Sequence, residues 1–342
     1  VSPSSPGQLE ELGRALEALG VGGVRLREDM AARTRVRAGG MVDVYVEVSD
    51  ETAMLRLVRF LAQRRVRFHV VGRARRVLVQ DGGYAGVLVS TANLAGKKVV
   101  DAGAGLVVVG AGVEVESLIG WAGGMGFEVP VGAWGWGGSL GWLLCSPVGP
   151  PDARLASLVV GVEVVTPSGR RLSIPGEKLR DGAGTGSGLR GRVLLSATLK
   201  LRSRGRRKAV ASEFPGAAVQ CPPGPVVGPL FHDPDPGRNR LVGTAADLIA
   251  RSGLGGVRVN GARLCEGAPN WIENVGGARV QDMVTLMRLA RDRVKRDHGV
   301  TLAPAVQVVG RPAPRSVREP WKSAVRTGRS VGGAPEGIDA VA

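Results

Sequence analysis

The sequence predicts an α+β protein. Strand-like runs outnumber helical ones, helical periodicity is confined to a few separate stretches, and a Pro/Gly-rich break near residue 220 divides a long first part from a shorter second one. The 342 residues are 44% hydrophobic and 22% charged, enough to bury a core, and the length suggests two or three domains. No apolar run approaches the roughly 18 to 20 residues of a membrane span, so a soluble protein is expected. Cys145, Cys221 and Cys265 are odd in number and have no CxxC spacing. That pattern argues against a disulfide framework or a structural zinc site and favours a reducing compartment, the cytoplasm or an organelle matrix.

In chain order, residues 1–7 are Ser/Pro-rich and lack the basic and apolar regions of a secretory signal. Leu9, Leu12, Leu16 and Leu19 fall on one face of an amphipathic helix over 8–19. Residues 42–48 alternate like a strand, 51–65 carry Met54, Leu55, Leu57, Val58 and Leu61 at helical spacing, and 68–71 form a second strand, a βαβ-like start. From 77 to about 201 short valine-rich runs (87–89, 106–109, 158–165, 193–201) recur between glycine turns, with one helix at 115–124. This reads as a mixed or antiparallel sheet with a helix on it. The basic run Arg202, Arg204, Arg206, Arg207, Lys208 and the Pro/Gly-rich stretch 215–236 mark the domain boundary. Beyond it, helices at 244–251 and 280–297 flank short strands at 257–259 and 271–273. After 310 the composition is that of a disordered tail.

The net charge is +16, from 46 basic and 30 acidic residues. Seven of the basic residues are Lys and 39 are Arg, a skew that G+C-rich coding produces together with abundant Gly, Ala and Val. Residues 311–342 hold six basic and three acidic residues, which leaves +13 on residues 1–310. The body itself is basic, which favours association with a polyanion.

Four collinear segments carry a family resemblance. They are TRVRAGGMVD at 34–43, VVG at 70–72 running into VLVQDGGYAG at 77–86, the glycine turns AGAG at 102–105 and VGAG at 109–112, and, most specific, GARLCE at 261–266 with PNWIEN at 269–274, GGA at 276–278 and GVTL at 299–302. Over about residues 25–310 the chain resembles the UDP-N-acetylenolpyruvoylglucosamine reductase (MurB) family of peptidoglycan synthesis. The resemblance implies a MurB-like FAD-binding domain of the PCMH/vanillyl-alcohol-oxidase type in two parts, 25–90 and 91–205, and a C-terminal MurB-type α+β domain at 206–310. Residues 1–24 are then an N-terminal helix and linker, and 311–342 a basic tail.

In the family, FAD reduced by NADPH passes a hydride to the enolpyruvyl group of a nucleotide sugar, and an acid protonates the adjacent carbon. The family's donor, a Ser or Cys in a GSxFKNP-like turn, corresponds to Pro229 in GPLFHDP at 228–234, which has neither a side-chain proton nor an N–H. Its Arg, in a GYRxS turn, corresponds to Gly184 in an alignment left open by a one-residue length difference, with Arg180 or Arg190 able to substitute only if the loop is rebuilt, and its Glu, in LEPEV, corresponds to Ala305. The flavin loop GGGSN reads Gly72, Arg73, Ala74, Arg75, Arg76 here, where three cations replace residues that let backbone amides approach a diphosphate. Asp81 ends the following strand as a turn carboxylate, and Gly132, Gly135, Gly137 and Gly138 survive from the second flavin loop. These residues are the degraded cofactor-binding positions; no metal site is expected.

Other residues have plainer readings. Trp134, Trp136 and Trp142 are expected to pack in a core rather than stack on a flavin or a base. His232 is expected at the surface rather than as a replacement acid, and Cys265 as a buried inert thiol rather than a donor. Arg288, Arg291, Arg293, Lys295 and Arg296, interspersed with Asp282, Asp292 and Asp297, form either a solvated face or an anion-binding one. The expected function is therefore that of a diverged family member, a pseudoenzyme that binds or scaffolds, with RNA or a ribonucleoprotein as the first partner class. The alternative is a working FAD- and NADPH-dependent reductase in cell-wall precursor synthesis.

Overall fold

A computed structural model describes residues 5–129, 138–145, 157–179, 189–203, 221–234, 243–313 and 325–326. Helix α1 (Pro6–Ala18) starts at Ser5, whose side chain accepts from Gln8 N, with Pro6 in the first turn where no N–H is needed. Strand β1 (Gly22–Asp29) then pairs antiparallel with β2 (Met41–Val48). Helix α2 (Glu51–Gln63), capped by Asp50 Oδ1 accepting from Ala53 N at 2.8 Å, leads to β3 (Phe68–Val71), β4 (Val77–Val79) and β5 (Tyr84–Ser90). The first sheet has the order β1-β2-β5-β3, with β5 parallel to both β2 and β3. Its apolar side and α2 enclose Met54, Leu57 and Leu61, all fully buried. Burying each such side chain contributes about 1.5–3 kcal/mol.

The second sheet is antiparallel, in the order β10-β9-β11-β7-β6, from β6 (Lys97–Asp101), β7 (Leu106–Gly110), β9 (Val159–Val165), β10 (Arg171–Pro175) and β11 (Val193–Lys200). Helices α3 (Val115–Gly124) and α4 (Leu140–Cys145) cover it through Leu118, Leu140, Leu143 and Leu144. A short pair, β8 (Phe127–Glu128) with β12 (Arg202–Ser203), lies beside it. The C-terminal part has the sheet β13-β16-β15-β14-β18, from β13 (Val226–Val227), β14 (Arg258–Val259), β15 (Ala262–Leu264), β16 (Ile272–Asn274) and β18 (Val325–Arg326). Against it pack α5 (Ala245–Arg251) and α6 (Val280–His298). Val280, Met283, Leu286, Met287, Ala290 and Val294 form the buried stripe of α6, and Gly299, at φ 71°, ends the helix in the left-handed conformation glycine favours.

A seam joins the C-terminal part to the first. Strand β17 (Gln307–Val309) runs parallel to β4, and Gln80 N, Gly82 N and Arg311 N donate across it at 2.8–2.9 Å. Asn274 Nδ2 donates to Val36 O and Arg37 O at 3.0 and 3.2 Å. Leu78 of β4 is fully buried in the same core as α5 and α6.

Two expectations are corrected here. Residues 22–24 were assigned to a linker, yet they open β1; that strand is solvent-facing and carries no apolar alternation, so only its pairing with β2 defines it. Most of the tail expected to be disordered, 314–324 and 327–342, lies outside the described residues, while residues 325–326 add a strand to the edge of β14. Among the described residues no helix is long and apolar enough to cross a membrane.

Candidate functional site

A cavity of about 380 Å³ opens beside the loop that follows β3. Phe68 to Val71 of β3 and the loop residues Gly72 to Arg76 form one wall, and Glu114, Gly138, Ser139, Trp142 and Cys145 form another. Thr91, Arg192 to Leu194 and Gln307 complete it. Gly72 is required by the approach of the loop to the start of α4, since a Cβ there would stand 2.8 Å from Ser139 Oγ. Ser90 Oγ anchors the loop by donating to Gly72 O at 3.0 Å. Ala74 is left-handed at φ 54°. Among the described residues the amides of Gly72, Arg73, Ala74 and Arg75 donate to no carbonyl or side chain.

The three loop arginines behave differently. Arg73 Nε and Arg75 Nη2 lie 3.5 and 3.0 Å from Glu114 Oε1, with their side chains 45% and 38% exposed. Arg76 turns inward and is 5% exposed. Its guanidinium carbon stands 3.9 Å from the centroid of Trp142, whose ring stacks on His232 at 6.1 Å and an interplanar angle of 11°. Desolvation pushes the Arg76 pKa down to about 9 against the opposing pull of Glu116. Desolvation, and then the Arg76 charge, push His232 down to about 4. His232, expected at the surface, is thus a buried neutral ring: the residue's backbone N–H donates to Ala303 O at 2.9 Å and its side chain closes the column.

The structure brings Pro229 and Ala305 together. Leu230 N donates to Asn270 O at 2.8 Å and Ala305 N to Leu230 O at 2.7 Å, while Asn270 Oδ1 accepts from Phe231 N at 3.0 Å. These contacts place 228–232 beside 303–305, and the stacking of Arg76 on Trp142 and of Trp142 on His232 links that pair to the 72–76 loop. Gly184, Gly132, Gly135, Gly137, Trp134 and Trp136 lie outside the described residues. Gly138 lines the cavity, and a Cβ there would come within 2.8 Å of Trp142.

Asp81 is not at the cavity. Its carboxylate accepts from Val280 N at 3.0 Å and Gln281 N at 2.9 Å and so holds the N-terminus of α6 across the seam, which corrects its assignment to the cofactor loops. Cys265 is buried beside Trp271 and pushed up to about 12 by desolvation, the inert thiol expected. On the basic face of α6, Arg293 and Arg296 pair with Asp297 at 2.9 and 3.2 Å and Arg291 with Asp292 at 3.5 Å, which partly neutralises the face. Among the described residues no cluster of His, Cys, Asp and Glu could hold a metal. Glu114, Arg192 and Gln307 were missed by sequence reasoning because none sits in a motif; Ser139, which ends the second glycine loop, was given no role, and only the meeting of loop, helix and strand identifies the four together.

Comparison with known proteins matches residues 42–174 to an FAD binding domain and 221–309 to the C-terminal domain of UDP-N-acetylenolpyruvoylglucosamine reductase. A curated reductase of that name from Anaeromyxobacter sp. (strain Fw109-5) is 31% identical over 290 residues, 82% of this chain and 87% of the relative. One from Gloeobacter violaceus is 30% identical, covering 82% and 95%. Among solved structures, the MurB crystal structure from Thermus caldophilus superposes with a TM-score of 0.61 at 25% identity, over 84% of this chain and 98% of that one.

Proposed function

The chain belongs to the UDP-N-acetylenolpyruvoylglucosamine reductase family, and from that premise we propose that it is a member whose reductase chemistry has been lost and whose role is binding. The observation that carries this reading is the juxtaposition of Pro229 and Ala305, the positions at which the family's acid and carboxylate are expected. A carbanion formed by hydride addition needs a proton at the adjacent carbon, and neither residue has one to give. Nearby substitutes are poorly matched. His232, with its pKa near 4, is neutral at pH 7 and spends its ring face on Trp142. Cys145, at the cavity, is pushed up to about 12 by desolvation, far from the near-neutral pKa that proton transfer favours. Loss of one general acid costs about a hundred- to ten-thousandfold in rate, and losses within one constellation are not additive.

The net charge of +16 extends the proposal to a polyanionic partner, with RNA in a ribonucleoprotein the class to test. RNA affinity that does not fall as salt rises removes that part. The working-reductase reading rests on family membership alone. Purified protein supplied with FAD, NADPH and UDP-N-acetylenolpyruvoylglucosamine is expected to oxidise NADPH no faster than a protein-free blank; substrate-dependent oxidation above the blank contradicts the proposal.

A further inference from the structure

We propose that the cavity beside the 72–76 loop takes a nucleoside diphosphate and excludes flavin, with Arg76 the residue that sets this selectivity. The inference rests on the reading that reductase chemistry is gone. A flavin ring that delivers a hydride to a substrate touching residues 229 and 305 has to lie between those residues and the 72–76 loop. That interval is spanned by the column of Arg76, Trp142 and His232, with contacts of 3.9 and 6.1 Å and rings 11° from parallel. A further ring cannot enter without parting one of them. The residues present therefore do not fit an isoalloxazine.

The rest of the cavity keeps the means to hold a smaller anion. Four consecutive loop residues, Gly72 to Arg75, have amides that donate to no group among the described residues, and the left-handed turn at Ala74 is of the kind that forms anion-binding concavities. Arg73 and Arg75 stand half-exposed at the rim, able to grip phosphate oxygens in bidentate fashion. They share one carboxylate, Glu114, which acts as the internal counter-ion that a diphosphate displaces. Val70, Val71, Val193 and Leu194 give the same cavity an apolar wall for a flat base. Its volume of about 380 Å³ lies near the lower end of small-molecule sites, about 300–1,000 Å³.

Isothermal titration of the full chain with ADP, UDP, inorganic pyrophosphate and FAD tests this. ADP or UDP is expected to bind in competition with pyrophosphate, and FAD not to bind. The double variant Arg73→Ala/Arg75→Ala is expected to weaken nucleotide binding about ten- to a hundredfold, as the loss of charge-assisted hydrogen bonds does. Glu114→Gln moves it the other way, since the competing carboxylate charge is gone. Arg76→Ala keeps nucleotide binding and gains FAD; if it does not fold, as judged by circular dichroism, Arg76→Gln replaces it. Wild-type binding of FAD as tight as that of ADP overturns the proposal, as does no binding of any nucleotide or of pyrophosphate, or an unchanged affinity in the double variant. These failures are distinguishable from failure of the proposed function, which appears as NADPH oxidation: absent nucleotide binding with no oxidation removes only this inference.

Discussion

Asp81 and Arg76 stand at the two ends of β4, and the structure uses their charges in opposite ways. At the seam, both oxygens of Asp81 accept backbone amides at the start of α6, so the charge meets donors and a favourable helix dipole. At the cavity, Arg76 is withdrawn from water onto an aromatic face, and burial holds its pKa well below the usual value. One charge joins two parts of the fold, whereas the other lies in the wall of the cavity. On the proposal above, the seam carries stability and the cavity selectivity, although only β4 and Gln80 separate the two residues.

The comparison is broken most severely at the seam. Leu78→Ala, which empties a fully buried position shared by β4 and the C-terminal core, is expected to cost about 3–5 kcal/mol in denaturant unfolding. A cost below that of a surface substitution would mean the seam is not a packed joint.

At the cavity, the largest stability effect is one of pH. His232 has its folded pKa lowered from 6.5 to about 4, so the unfolded chain binds the extra proton first as pH falls. The contribution of His232 to stability is therefore unchanged above about pH 6.5, declines between 6.5 and 4, and levels off below 4, by about 3 kcal/mol in all. His232→Gln flattens that part of the profile; an unchanged slope in the variant would show that the column does not hold a neutral histidine.

Smaller effects sharpen the contrast. Asp81→Ala removes a cap across the seam and is expected to lower stability by about 1–2 kcal/mol, read as a shift in the unfolding midpoint. Arg75→Ala, at the half-exposed rim, is expected to change stability by less than about 1 kcal/mol while weakening pyrophosphate binding. If Arg75→Ala destabilised as much as Asp81→Ala, the division between seam and cavity would fail.

Single elements are legible in the sequence, whereas the seam and the cavity, where distant elements meet, are not. The amphipathic stripe from Val280 to Val294 specifies α6, and alternation specifies β2, because each pattern reports burial along a single element. Pro229 and Ala305 are read from local motifs, and their adjacency follows once those motifs are placed on the family's fold. The burial of His232 is not legible. A histidine in a Pro-rich turn has surface composition, and it is buried only because Trp142 of α4 and Ala303 of the C-terminal part meet it. Asp81 misleads in a similar way, since it looks like a turn carboxylate until the N-terminus of α6, far along the chain, arrives beside it. Arg76 is visible as a substitution, but its inward turn depends on an aromatic partner from another element.

The central claim is that the chain's own side chains fill the place where a flavin ring would work. The most direct test is the visible absorption spectrum of the purified full chain after incubation with excess FAD and removal of unbound cofactor by gel filtration. The account predicts a protein without flavin absorbance, with Arg76→Ala acquiring it. A wild-type protein that emerges yellow, with flavin near one equivalent per chain, would contradict the account.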